Sequence, residues 1–280
     1  MTTDQILSDD SLAYSRHNCE VAICVLARGY FFKRKYKKLI DRNNSIFEKI
    51  SCKNTTKFDF LIFHEGNISD SDKEYINKNS PHCEIKYISV KNFFKRRRIA
   101  GKNAFCHETS TSKKFGWGYK CMCHFWFDEF LRYTIDYRYV IRIDEDCIIK
   151  DFPLDSLIDT MKCELIKYIT PRIYGHDNPD VTIGMQELCN EFVNEQRINI
   201  SPSFDRNPYT NVFLMDGDYF RGNEIFLSFS RKVNKSGCIY VNRWGDLPLW
   251  GCVLSLLDKE IFNITNSIKY IHGSHNEVIN

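Results

Sequence analysis

The sequence contains no apolar run near the ~20 residues that cross a bilayer, and its first ten residues are polar and acidic. No signal peptide, membrane span or anchor is therefore expected, and the location read from this is soluble, cytoplasmic or virus-associated. Excess charge is scarce too. The formal net charge is +3, where a dedicated nucleic-acid binder carries a larger basic surplus, so no nucleic-acid partner is expected. Much of the positive charge gathers at 33–38 and 95–98. Each cluster reads either as a solvated face or as a surface attracting an anionic nucleotide, acceptor or membrane. Cysteine is plentiful, at 12 residues, but it lacks framework spacing. No second ligand pair stands where a zinc site needs one. Small buried thiols in a reducing compartment are the expectation. A Gly-x-x-x-x-Gly-Lys-Ser/Thr stretch is missing, which excludes a P-loop nucleotidase. The Gly-x-Ser-x-Gly elbow of a serine hydrolase is missing as well.

What is present is a chain of 280 residues, 43% hydrophobic and 27% charged. That suffices for one large α/β domain or two tightly joined halves. Aromatic residues make up 14%, and most are assigned to the core. Residues 1–18 read as an N-terminal arm, and 19–280 as a single domain. Within it, 19–150 is expected to bind nucleotide and 151–280 to bind acceptor. Strands are predicted at 21–26, 58–63, 84–90, 139–143, 165–169 and 212–215, from short apolar runs bounded by polar segments. Helices are predicted at 35–50, after the cap-like Ser69-Asp70-Ser71-Asp72, at 118–133 and at 247–257. Residues 91–115 read as a long basic loop. There is no internal repeat and no heptad pattern. This alternation implies a mostly parallel sheet with helices on both faces. Ligands of such sheets bind beyond the carboxyl ends of the strands. Arg28, Glu65 and the triplet Asp144-Glu145-Asp146 all follow predicted strands, and all are candidate nucleotide-site residues.

The triplet is the central feature. Carboxylates at the exit of a buried strand are costly unless a cation compensates them. Asp144 and Asp146, two residues apart, suit one hard divalent ion, Mn2+ or Mg2+. Such an ion would bridge a nucleotide diphosphate and stabilise the charge of a departing group. A turn cap or a two-metal phosphohydrolase site would use the same residues.

Three blocks of sequence resemble the fungal α-1,2-mannosyltransferases of glycosyltransferase family fifteen. The first is Gly118-Tyr119-Lys120-Cys121-Met122-Cys123-His124-Phe125-Trp126. The second is Tyr139 through Asp146, where the family has Arg-x-Glu-Pro-Asp. The third runs from Thr210-Asn211 through Asp216-Gly217-Asp218-Tyr219-Phe220-Arg221 to Arg243-Trp244-Gly245-Asp246-Leu247-Pro248, close to the family's Arg-Trp-Gly-Asp-x-Pro. The resemblance spans roughly 118–272. It implies a GT-A fold, a Rossmann-like mixed sheet flanked by helices. It also implies a manganese-dependent retaining transfer from GDP-mannose. A glycan, glycoprotein or other hydroxyl is the expected acceptor, and a UDP-sugar is the alternative donor. Carried over by position, Asp144 matches the metal-binding carboxylate, Arg142 an active-site arginine, Tyr119 a tyrosine near the reacting sugar and Asp246 an acid on the acceptor side. His272, rather than His275, matches the C-terminal metal-binding histidine. One departure bears on mechanism: the family has a glutamate, proposed as nucleophile, where this chain has Phe213. Asp216 or Asp218 could serve instead, with Asp218 the preferred fallback, or the reaction could pass through a short-lived ion pair. A catalytically silent lectin-like or scaffold protein and a metal-dependent phosphohydrolase are the alternative functions.

Overall fold

A computed structural model describes residues 19–95, 104–202, 206–257, 259–273 and 277–279. The expected N-terminal arm at 1–18, the 96–103 part of the expected basic loop at 91–115 and His275 lie outside the described residues. The strands are β1 Val21–Ala27, β2 Phe58–His64, β3 Ile85–Ser89, β4 Tyr139–Ile143, β5 Cys147–Asp151 and β6 Tyr168–Thr170. They continue with β7 Ile173–Tyr174, β8 Asn207–Pro208, β9 Val212–Asp216, β10 Phe262–Ile264, β11 Lys269–His272 and β12 Glu277–Ile279.

A seven-stranded sheet in the order β10-β6-β9-β4-β1-β2-β3 forms the centre. Its strands come from both expected halves of the chain. Strand β9 alone runs against its two neighbours, and the other pairings are parallel. The expected mixed, mostly parallel α/β sheet is thus what the chain forms. Its two faces follow from strand alternation. Tyr139, Ile141 and Ile143 of β4 face one core cluster with the Lys37–Ile46 and Leu154–Cys163 helices. Val140 faces the other, with Trp126, Phe226, Phe229 and Trp250 from three helical segments. Arg142 shares the Val140 face, so its position in the site is set by the period of two.

The predicted helices are found with irregular ends. The first runs as a 3-10 turn Lys33–Tyr36, an α-helix Lys37–Ile46 and a π-turn Phe47–Ser51. Ser69 and Asp72 form a reciprocal capping box at the start of Asp70–Asn79, which satisfies backbone N–H groups of the first turn. The 118–133 segment is Trp117–His124, a π-turn Phe125–Glu129 and Phe130–Tyr133. The segment read as a loop at 91–115 carries two short helices, Lys91–Phe94 and Ser110–Lys113, with Thr109 capping the latter. Strand β6 starts three residues later than expected, because Leu165 is exposed rather than buried.

Two features were not anticipated. Strand β5 leaves directly after the acidic triplet and pairs antiparallel with β11, placing Cys147 opposite His272. Cys106 and Cys238, 132 residues apart, are joined as a disulfide with Cα atoms 5.2 Å apart, a departure from the expectation of isolated thiols throughout.

Candidate active site

A cleft of ≈ 690 Å³ opens at the carboxyl ends of β1, β2 and β4, where a sheet of this kind binds ligands. Buried Arg42 secures its floor. The guanidinium donates to the Ile143 carbonyl at 2.9 Å and to the Cys24 carbonyl at 3.2 Å. It thereby ties the exit of β4 to β1. Burial holds the Arg42 pKa down to about 10.

From this exit the triplet fans out in three directions. Asp144 accepts from Arg142 Nε at 2.7 Å and from Nη2 at 3.0 Å, a two-pronged pair. Arg142 Nη1 reaches Asp246 Oδ2 at 2.6 Å, and its guanidinium lies 4.5 Å from the Trp126 ring. Burial opposes the Arg142 charge, but Asp144 and Asp246 more than offset it and hold its pKa above the ordinary value. Burial pushes the Asp144 carboxyl up, against the pull of Arg142. Removing one member of such a network leaves a buried charge short of a partner, at about 3–5 kcal/mol.

Glu145 turns toward the loop after β1, where the Tyr30 hydroxyl donates to its Oε1. Burial, then Glu145, pushes the Tyr30 phenol up to about 12. Arg28 lies 5.2 Å from the Tyr30 ring, and both Arg28 and Glu65 line the cleft. Burial pushes the Glu65 carboxyl up. The two residues expected after β1 and β2 are therefore at the cleft, on the same side as Glu145.

Asp146 faces His272, with Oδ1 3.5 Å from Nε2. Asn211 Nδ2 donates to Asp144 Oδ2 at 3.2 Å and lies 3.1 Å from His272 Nε2. A carboxylate only accepts, so the Asn211 amide nitrogen must be on that side. His272 Nε2 then accepts from it, and the Nδ1 proton is directed to the Tyr209 hydroxyl at 3.1 Å. A metal ligated at Nε2 would take the place of the Asn211 contact. Among the described residues, Asp146, Cys147 and His272 offer ligand atoms within 4.8 Å of one another. Asp146 and His272 line the cleft, whereas Cys147 is buried in the core. The donor set fits a divalent ion held by Asp146 and His272. Asp144, also expected as a ligand, lines the same cleft and pairs with Arg142.

The residues expected on the acceptor side converge as well. Gly245, not Asp246, is the N-cap residue of the Asp246–Leu256 helix, and no side chain caps it. The Asp246 carboxylate goes to Arg142 rather than to the helix backbone. This helix packs tightly on β8: a Cβ at Gly251 would meet Asn207 Oδ1 at 1.9 Å. Tyr119 lines the same wall and accepts from Arg243 Nη2 at 2.7 Å. Burial pushes its phenol up to about 12.

Two expected residues do not reach the cleft. Asp218 lies past the far end of β9, exposed and paired with Arg221 at 2.7 Å. Strand β9 opposes β4, with Tyr139 beside Asp216 and Ile143 beside Val212, so the chain carries Asp216 and Asp218 away from Asp144. Asp218 as a fallback nucleophile is corrected on that ground. Asp216 and Asp218 are thereby unavailable to a metal-dependent phosphohydrolase site at this cleft. Phe213 sits beside Arg142 in the register, but its ring is buried against Tyr168 at 5.1 Å and does not line the cleft. Asn211, Arg243 and Trp126 belong to blocks already singled out, though no role was assigned to them. Tyr30, Tyr209 and Asp177 carried no signal.

No family model matches the chain, and no curated protein matches it in sequence. Solved structures do match. The mannosyltransferase Ktr4p of S. cerevisiae superposes with a TM-score of 0.75 at 15% identity, covering 91% of this chain and 70% of that one. Core-mannan synthase A of Aspergillus fumigatus, in its Mn/GDP form, gives 0.73 at 16%, covering 94% and 76%. Mouse xyloside xylosyltransferase 1 gives 0.54 at 10%, covering 88% and 84%. At these identities the likeness establishes the fold: the chain has the GT-A fold of these glycosyltransferases, as the motif blocks implied.

Proposed function

We propose that the chain is a metal-dependent glycosyltransferase that moves a sugar from a nucleoside-diphosphate donor to a hydroxyl acceptor. The observation that carries this reading is the placement of Arg142 between Asp144 and Asp246, beside the Asp146–His272 pair, in one cleft of a GT-A fold. GDP-mannose is the first donor to test, because the motif blocks resemble mannosyltransferases and the structural neighbours include one solved with Mn and GDP. Mn2+ would be held by Asp146 and His272, where it would supply positive charge to the donor's diphosphate.

The remaining work falls to the chain's own side chains. Arg28, Glu65 and Glu145 form the nucleotide end of the cleft. Arg142 stays cationic and preorganised, its guanidinium fixed by two carboxylates and the face of Trp126. Asp246 lies on the acceptor side, where it can take the acceptor's proton. Phe213 offers no atom to form a covalent sugar adduct. A retaining transfer then occurs on one face without an adduct at position 213, the leaving diphosphate helping to accept the proton. An inverting transfer would use Asp246 as an in-line base. Acceptors are glycans or glycoproteins, with 19–150 serving mainly the donor and 151–280 mainly the acceptor, His272 and Tyr119 being the exceptions.

Screening nucleotide sugars with Mn2+ by thermal shift tests the reading. A donor at 100 times its dissociation constant should stabilise the fold by about 2.7 kcal/mol. Proton NMR of the product then reads the anomer. Stabilisation by nucleotide sugars without transfer or donor hydrolysis would favour the silent, lectin-like reading, for which Phe213 is the supporting residue.

A further inference from the structure

Arg243 lies three residues before Asp246 and lines the same cleft. Its backbone adopts φ 68, a left-handed conformation that costs energy in any residue with a Cβ. Its guanidinium lies 4.5 Å from the Phe115 ring and 5.0 Å from the Tyr119 ring. Nη1 donates to Asp177 Oδ2 at 2.7 Å, and Nη2 donates to the Tyr119 hydroxyl oxygen at 2.7 Å. Nε is buried without a hydrogen-bond partner among the described residues. A strained backbone and an unpaired buried N–H are both costs, and such costs collect where surrounding structure holds a side chain for a task.

The direction of the Tyr119 bond defines the task. A guanidinium only donates, so the phenol oxygen accepts, and the phenol's own proton must point away from Arg243. Tyr119 is 39% exposed and lines the cleft, so that proton is available to a bound molecule. We propose that Arg243 is a positioning residue: it fixes Tyr119 as a hydrogen-bond donor to an oxygen of the bound sugar, and Asp177 holds Arg243 in that orientation. This rests on the glycosyltransferase reading. The adjacent positive charge also makes the phenol a stronger donor. Lysine cannot substitute, because one ammonium lacks the planar fork that spans Asp177 and Tyr119.

The test uses Tyr119→Phe, Arg243→Met and the double variant. Each is assayed for kcat and KM with the nucleotide sugar that the wild type turns over. Affinity for the corresponding nucleoside diphosphate is measured by calorimetry. Each single variant should lose roughly tenfold to a hundredfold in kcat, and the double variant should be no worse than the poorer single, since Arg243 acts through the Tyr119 hydroxyl. Arg243→Lys should resemble Arg243→Met. The nucleoside diphosphate, which has no sugar to meet Tyr119, should bind every variant within about twofold of the wild type. If Arg243→Met does not fold, Asp177→Asn takes its place: it should lower kcat in the wild type and not in a Tyr119→Phe background. Multiplying losses in the double variant, wild-type kcat in Arg243→Met, or nucleoside-diphosphate affinity falling in step with kcat would each overturn the inference while leaving the glycosyltransferase reading intact. A wild type that binds no nucleoside diphosphate and turns over no nucleotide sugar would overturn both.

Discussion

Strands β4 and β9 lie side by side, and an Asp-x-Asp triplet stands at the end of each. After β4 come Asp144, Glu145 and Asp146; at the end of β9 come Asp216, Gly217 and Asp218. Because the strands are antiparallel, the triplets sit at opposite ends of the sheet and meet different surroundings. The first enters the cleft beside Arg142, Asn211 and His272. The second starts a helix. Asp216 accepts from the Tyr219 N–H at 3.1 Å and faces Lys167 at 3.3 Å and Arg138 at 3.6 Å. Two carboxylates at this spacing therefore specify no chemistry by themselves. Strand direction decides whether they meet a ligand or their own backbone.

The largest expected effect lies at the β4 end. Asp146→Ala or His272→Ala should weaken Mn2+-dependent nucleotide binding by about a hundredfold or more in calorimetry, with the protein still folded. Asp216→Ala should leave that affinity at the wild-type value. Equal losses at the two ends would erase the contrast. Next comes Asp246→Asn, which keeps a hydrogen-bonding side chain toward Arg142 but removes the base and one buried charge. Transfer should fall by about 10²–10³, with donor affinity much less affected, in steady-state assays. A wild-type rate would leave Asp246 a purely structural partner of Arg142.

The two triplets were equally visible in the sequence, and the reason for their different standing was not. Strand β4 is legible as an apolar run interrupted only by Arg142, and the period of two then assigns Arg142 its face. The approach of His272 to Asp146 depends on β5 pairing with β11 across more than a hundred residues, and no local pattern announces such pairing. His272 was reached through resemblance, not periodicity. Asp177 lies in a polar segment with no pattern, so its ion pair with Arg243 could not be read. The Glu224–Ser236 helix was overlooked although Phe226, Phe229 and Val233 recur at helical spacing and Asn223 caps it. Leu165 misled in the other direction, an apolar letter at an exposed position. Asp144 shows what a motif leaves unread: both of its oxygens pair with the neighbouring Arg142.

Smaller effects sharpen the contrast in stability rather than binding. Asp216→Ala removes a cap and the partner of two cations, and should cost about 2 kcal/mol in denaturant melts. Asp155 shows a third use of an acid, gathering the N–H groups of Thr55 at 2.7 Å and Thr56 at 2.9 Å. Burial opposes its charge, but these bonds hold its pKa down to about 2. A depressed acid stabilises the fold fully above its unfolded value near 4 and loses that contribution as pH falls toward 2. Asp155→Ala should therefore cost about 1 kcal/mol near neutrality, discounted for exposure. The gap from wild type should close between about pH 4 and pH 2. A gap that is constant with pH would mean that packing, not charge, is lost.

The smallest expected effect, at Asp218, is the most exacting check on the comparison. Its side chain is 61% exposed, and its ion pair with Arg221 is an i,i+3 contact on a helix surface, of a kind that contributes about 0.2–0.5 kcal/mol. Arg221 does not depend on it. The same guanidinium donates to the backbone carbonyls of Leu131, Thr134 and Tyr137, the last at 2.6 Å, so it stays in place when the carboxylate is neutralised. Asp218→Asn should thus move the denaturant midpoint by less than about 0.5 kcal/mol and leave transfer at the wild-type rate. A tenfold loss of rate, or a sugar adduct trapped on Asp218 by mass spectrometry, would show that the β9 end reaches the reacting centre. In that case strand direction would no longer separate the two triplets, and the covalent route closed at Phe213 would reopen through a residue that this fold turns away from the cleft.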